Sequence, residues 1–426
     1  MTSPSHTRPQ HSGIRRFIAN LGPGIITGAA DDDPSGISTY SVAGAALGYS
    51  ILWTALFSFP LMAAVQLMCA RLGIVTGRGL GGVIRKRYPR WVLWVACLLL
   101  IVANTFNIGA DLGGMGASMQ MVTGFPAWVW TLLFTVLITA LLAWTSYKFI
   151  ARIFKWLTLA LFAYVITAFL ARPSWTEVLR ATFVPHIQLT RTYMAMLVGI
   201  LGTTISPYLF FWQAAQEVEE EREQGKRTPR EREGATDLEL SVATTDTDTG
   251  MLYSNLVMYF IILTTGATLH LHGKHDIETA QQAAEALRPL AGGGAYWLFT
   301  LGLVGVGMLA VPVLAGSCAY AISEAVTWDE ASLNDKPARS PGFYVIIAAA
   351  MLIGLALNLA RLNAIKMLFW SAILNGVLAP PLVVLVVVLS SDRTVMGDRV
   401  NSRWANAMGW ICAIAMAAAA VAMFLL

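Results

Sequence analysis

Long apolar runs joined by short polar breaks fill most of this chain, and eleven such runs can be drawn. They cover 17–47, 48–73, 91–122, 126–147, 149–171, 192–216, 251–271, 295–324, 342–360, 364–390 and 404–425. A helix needs about 20 apolar residues to cross a bilayer. Runs near 30 residues must tilt, break or project from the membrane. Two runs are interrupted near their middles. The first carries "DDDPSG" (31–36) and the sixth "GTTISPY" (202–208). Proline removes a backbone donor and clashes with the preceding turn, and glycine permits unwinding. Pro34 and Pro207 therefore mark two broken helices.

Composition agrees with the pattern. The chain has 426 residues, 56% of them hydrophobic and 13% charged. A soluble domain carries about 25% charged residues. The mean hydropathy is +0.61. No cleavable leader is expected, because residues 1–14 are polar and the first apolar run continues into further spans. Cys69, Cys97, Cys318 and Cys412 lie in apolar runs without CxxC spacing, which argues against disulfides and thiolate metal sites.

The net charge of +4 matters less than where the charges fall. With the N-terminus inside, 22 of the 29 basic residues lie at inner segments or inner span ends. The positive-inside rule then sets the orientation, and an odd number of spans puts the C-terminus outside. The expected location is a plasma membrane, of the bacterial inner-membrane type. The expected division is a polar cytoplasmic N-terminus (1–16), spans one to six (17–216), a charged cytoplasmic loop (217–250) and spans seven to eleven (251–426). Five spans precede the sixth and five follow it. The fold expected is an all-α polytopic membrane protein with an inverted repeat of 5+5 spans and one appended. Interrupted spans at matching places of two halves point to a transporter substrate site, where freed carbonyls attract cations.

An ionisable residue deep in a span is a functional hypothesis. Asp33 lies at the first break, and on a regular helix Asp31, Asp32 and Asp33 would point about 100° apart. Asp33 is thus expected to hold an ion directly, with Asp31 or Asp32 acting through water. In the third span Asn104, Asn107 and Asp111 fall on one helical face, as a lining of the ion path or as an interhelical hydrogen-bond cluster. Asn255 and Asn375 allow either reading, and Glu324 reads as a solvated residue near the inner face. His270, His272 and His275 form an outer loop that reads more simply as a polar turn than as metal capture. "AGGG" (291–294) is a flexible loop and no phosphate cradle.

These residues resemble the NRAMP family of divalent-metal transporters over nearly the whole chain. The stretches that carry it are "LGPGIITGAADDDPSGISTYSVAGAALGYSILW" and "QLMCARLGIVTGRGL" (66–80). The family breaks its first helix at Asp-Pro-Gly-Asn and its sixth at Met-Pro-His, within a LeuT-like inverted repeat. The resemblance places the family's Asp and Pro at Asp33 and Pro34, and its Asn position at Gly36. In the sixth helix the proline falls on Pro207. The metal-binding Met becomes Ser206, the His becomes Tyr208, and the small residue offering a carbonyl becomes Thr203. A family acid of the third helix becomes Asn104, and Asp111 keeps another.

The departures bear on the ion. A thioether suits softer metals, whereas carboxylates, hydroxyls and carbonyls suit hard ions. The pattern resembles the NRAMP-related magnesium transporter branch. Mg²⁺ dehydrates reluctantly and is held through one or two carboxylates and waters. The expected function is import of Mg²⁺, with Mn²⁺ also carried, without proton coupling. The expected partners are the ion and the lipid bilayer, with no cofactor and no nucleic acid. A proton-coupled Mn²⁺/Fe²⁺ symporter is the alternative. More remote are a sodium-coupled organic-solute transporter and an intramembrane aspartyl protease using Asp111 with Asp33.

Overall fold

In a computed structural model, the described residues are 22–145, 147–154, 157–226, 228–328, 331–358 and 362–426. The polar N-terminus 1–16 and the first residues of the 17–47 run lie outside them. The first span is two helices, α1 (Pro23–Asp31) and α2 (Pro34–Leu47). There follow α3 (Trp53–Thr76), α4 (Arg90–Thr123), α5 (Ala127–Trp144) and α6, built from Tyr147–Phe154 and Phe162–Leu170. The sixth span is again split, into α7 (Arg191–Thr204) and α8 (Pro207–Glu223). Then come α9 (Asp237–Thr268), α10 (Ala295–Ala325), α11 (Pro341–Asn358), α12 (Ala364–Ser391) and α13 (Arg403–Leu425). Ten helical stretches among the described residues are long and apolar enough to cross a membrane. The α1–α2 pair supplies the eleventh crossing, because its halves of 9 and 14 residues are each too short alone.

The boundaries near 217–250 differ from the sequence expectation. Helix α8 runs on through Glu223, and α9 already begins at Asp237. Charge excludes a segment from lipid but not from a helix. Thr236 accepts from the Glu239 amide while the Glu239 side chain accepts from the Thr236 amide, a capping box that starts α9 outside the apolar run.

Polar contacts sort the helix ends onto two faces. On one, Arg71 donates to the Arg399 carbonyl, Arg87 pairs with Asp392, Arg399 with Asp237, and the Gly234 amide donates to the Val75 carbonyl. Arg71, Arg87 and Arg399 make this the basic face. The opposite face holds the His270–Ala45 contact and the Lys366–Glu278 pair.

The broken helices sit centrally. Helix α1 packs on α9, α7 on α12, and α10 on α4. The α1–α9 crossing is very close: a Cβ at Gly28 would lie 2.1 Å from the Gly250 carbonyl oxygen. Only glycine lets these two backbones touch.

Candidate ion-binding site

The break in the first span follows from its residues. Pro34 cannot donate and starts α2 at its first position. Asp33 precedes it in extended conformation (φ −65°, ψ 170°) and caps α2, its Oδ1 accepting the Gly36 amide at 2.7 Å. Helix α1 ends at Asp31, so its last carbonyls lack helical partners at the same place. All three aspartates are buried, with exposures of 0, 0 and 1%.

The carboxylates part company there. Asp33 faces α4, where Asn107 Nδ2 donates to its Oδ2 at 2.8 Å. The Asn107 Oδ1 accepts from the Ser371 hydroxyl of α12 at 2.7 Å. Three helices thus hold one carboxylate. Asp31 and Asp32 face α9, where the Ser254 hydroxyl reaches Asp31 Oδ2 and lies 3.2 Å from Asp32 Oδ1. One hydroxyl has one proton and donates to one of them at a time. Asp31 Oδ1 and Asp32 Oδ2 have no hydrogen-bond partner, and the charged groups acting on this pair are carboxylates. Such a group is costly to bury unless a positive charge joins it.

The second break mirrors the first. Helix α7 ends at Thr204, Ser206 is extended, and Pro207 opens α8. The Ser206 hydroxyl stays on its own helix, 2.9 Å from the Gly202 carbonyl and 2.8 Å from that of Thr203. The two breaks approach at Gly36 and Thr203, where a Cβ on Gly36 would lie 3.0 Å from Thr203 Oγ1. That hydroxyl is buried and unpartnered. Tyr208 donates to the Ala30 carbonyl at 3.0 Å, tying α8 to the last turn of α1 and satisfying one freed acceptor.

The polar face of the third span has three separate tasks. Asn104 donates to the Leu314 carbonyl of α10 at 2.9 Å. Asn107 holds Asp33. Asp111 is fully buried near Asp33 and the Ser35 amide, and neither of its oxygens makes a hydrogen bond of ordinary geometry.

Other polar residues have structural partners. Asn255 ties α9 to α3 through the Ala55 carbonyl and Ser58. Glu324 accepts the Gly82 amide and, through its carbonyl, Arg85, so it anchors the Leu80–Arg87 helix. His270 meets the Ala45 carbonyl at 2.7 Å and the His275 ring nitrogen at 3.2 Å; His272 is not part of that pair. Among the described residues, no three His, Cys, Asp or Glu side chains converge as a ready-made metal cage. An ion at Asp33 would meet that carboxylate, with Asp111 also buried nearby. Asn375 is buried with both polar atoms unpartnered.

Three residues that sequence reasoning passed over are Ser254, Ser371 and Asp246. The first two are hydroxyls in apolar helices with no local mark. Asp246 on α9 accepts the amides of Gly22 (2.8 Å), Gly24 (2.6 Å) and Ile25 (3.3 Å), the open N-terminus of α1.

Residues 24–426 match the family model described as natural resistance-associated macrophage protein-like. A divalent metal cation transporter, MntH of Mesorhizobium japonicum, is 28% identical over 427 aligned positions, covering 94% of this chain and 88% of its own. The fold superposes on a manganese transporter from Eremococcus coleocola with a TM-score of 0.75 at 17% identity, covering 97% of this chain and 88% of that one. It also superposes on Mhp1, a nucleobase-cation-symport-1 family transporter, with a TM-score of 0.56 at 14% identity over 95% and 92% of the two chains.

Proposed function

The chain belongs to the natural resistance-associated macrophage protein-like family, and on that premise we propose that it carries divalent metal cations across the membrane by alternating access. It is a transporter and not an enzyme. The ion site we assign is Asp33, with Gly36, Thr203 and Ser206 around it and Asp31 and Asp32 behind it. Asn104, Asn107, Asp111 and Tyr208 border the ion path. The observation that carries the assignment is the burial of the Asp33 carboxylate where two broken helices meet.

The proposed cargo is a hard divalent ion, Mg²⁺ first and Mn²⁺ also. Support comes from the oxygen donors at the breaks, since Ser206 and Tyr208 stand where the resemblance places the family's thioether and imidazole. Direct coordination by Asp33, with the remaining positions filled by neutral oxygens and water, suits an ion that keeps part of its water. The test is radioisotope or dye uptake into proteoliposomes with Mg²⁺, Mn²⁺, Ca²⁺ and Cd²⁺ in competition. Mg²⁺ and Mn²⁺ should compete for one pathway, and exclusion of Mg²⁺ would overturn the assignment.

We place the basic face in the cytoplasm, with the N-terminus inside and the C-terminus outside. Transport is taken to run downhill in the membrane potential without a proton. An inside-negative potential favours entry by about 2.3 kcal/mol per charge per 100 mV, hence roughly 4.6 kcal/mol for a divalent ion. That is over three decades of concentration ratio at about 1.4 kcal/mol per decade. Tyr208 and Asn104 are not proton carriers near neutral pH. The second reading, proton-coupled manganese uptake, is favoured by one observation: Asp111 is buried near Asp33 with no hydrogen bond of ordinary geometry.

A further inference from the structure

Half-helix α1 begins at the basic face, and there its amides are held by a side chain from another helix. The carboxylate of Asp246 accepts from Gly22, Gly24 and Ile25 at once. These are the amides that a helix leaves unpaired at its start, and they carry the positive end of its dipole. No side chain within α1 caps them. Charge-assisted hydrogen bonds of this kind are roughly twice as strong as neutral ones.

A second tie lies one turn further in. Thr27 of α1 donates to Gln213 Oε1 of α8 at 2.6 Å, and Gln213 Nε2 donates to Glu217 at 2.8 Å. Beyond these ties a cavity of about 610 Å³ opens at the same face, lined by Gly22, Pro23, Glu217, Glu220, Glu239 and Asp246 among others. The seam between α1, α8 and α9 thus separates the buried aspartates from an acidic vestibule. At the far end of α1 the chain is non-helical at Asp32 and Asp33, so the nine-residue half-helix can pivot without bending α2.

We infer that Asp246 is the clasp of the cytoplasmic gate: it positions α1 across the seam, and its release lets the ion leave into the vestibule. Asp246 acts through α1, as a positioning residue. The inference rests on the proposed orientation and transport cycle.

The test uses the full-length protein in proteoliposomes with a reporter at Thr247. That residue is fully buried behind α1, its hydroxyl has no partner, and its nitrogen would lie 2.6 Å from a Cβ at Gly24. Thr247→Cys therefore loses no hydrogen bond, and the four native cysteines are buried. A membrane-impermeant maleimide is applied from one side at a time. Asp246→Asn should raise the rate of labelling at position 247 about tenfold, the scale of one lost charge-assisted hydrogen bond. The same variant should raise the KM for metal entering from the opposite side while sparing the maximal rate, because fewer carriers wait facing that side. A merely structural defect would lower the maximal rate and leave KM alone. If Asp246→Asn is not recovered folded, Asp246→Ser serves, with the same expectation. Unchanged labelling and KM in a folded variant would overturn the clasp. Labelling that rises only from the opposite side would instead overturn the orientation.

Discussion

Asn107 donates to Asp33 across 2.8 Å, and through Ser371 it fixes that carboxylate to a third helix. The contact orients the carboxylate on which the proposed ion site is built. It also leaves lone pairs on both Asp33 oxygens, since each has one hydrogen bond in hand.

Asn107→Ala is expected to weaken metal affinity without unfolding the protein. Removing a group that orients a metal ligand typically costs about 10–100-fold. Ser371→Ala should act in the same direction and more weakly, because Asn107 keeps its bond to Asp33. Calorimetric titration with Mn²⁺ in detergent checks both. Equal affinity in the parent and in Asn107→Ala would remove this residue from the site.

Ser206→Met restores a thioether at the second break. It should shift preference toward Cd²⁺ at the expense of Mg²⁺. Relative uptake of the two ions by the same liposome preparation is the readout. An unchanged ratio would show that position 206 does not set selectivity, as its hydroxyl contacts with Gly202 and Thr203 would then suggest.

Ser254→Ala removes the hydroxyl that Asp31 and Asp32 share. A buried carboxylate losing its donor costs about 1–3 kcal/mol. The thermal midpoint of the purified protein should fall by several degrees. Metal affinity at Asp33 should change much less, because Asp33 is held by other helices. A midpoint within error of the parent would place a different positive or donor group at this pair.

Gly28→Ala should be poorly tolerated, for its Cβ would enter the Gly250 carbonyl of α9. Gly124→Ala is the contrast: its site is open, and only the left-handed backbone (φ 76°) opposes the change. Expression and monodispersity of the two variants should differ clearly. Equal yields would mean that α1 can shift on α9 at little cost.

The breaks were legible because their chemistry is local. Pro34 and Pro207 forbid a continuous helix whatever surrounds them, and Asp33 is the residue type that caps the helix beginning at Pro34. The helical face of Asn104, Asn107 and Asp111 was legible from its spacing, although the division of labour among its members was not. Sequence reasoning set Asp31 or Asp32 beside Asp33. The structure turns both toward Ser254, more than 220 positions away in the chain, and a lone serine in an apolar span gives no signal. Asp246 was hidden for the same reason within a run of Thr and Asp. The charge of 217–250 points to a loop, although Thr236 and Glu239 spell a helix start within it.

The most direct measurement of the central claim follows metal entry and luminal pH together in proteoliposomes clamped at a fixed negative potential. The account expects Mg²⁺ and Mn²⁺ to enter through the native protein with no change in luminal pH. Asp33→Ala, folded and inserted, should lose that entry. Metal-dependent acidification of the lumen that disappears in Asp33→Ala would contradict uncoupled transport, and undiminished entry in Asp33→Ala would contradict the site itself.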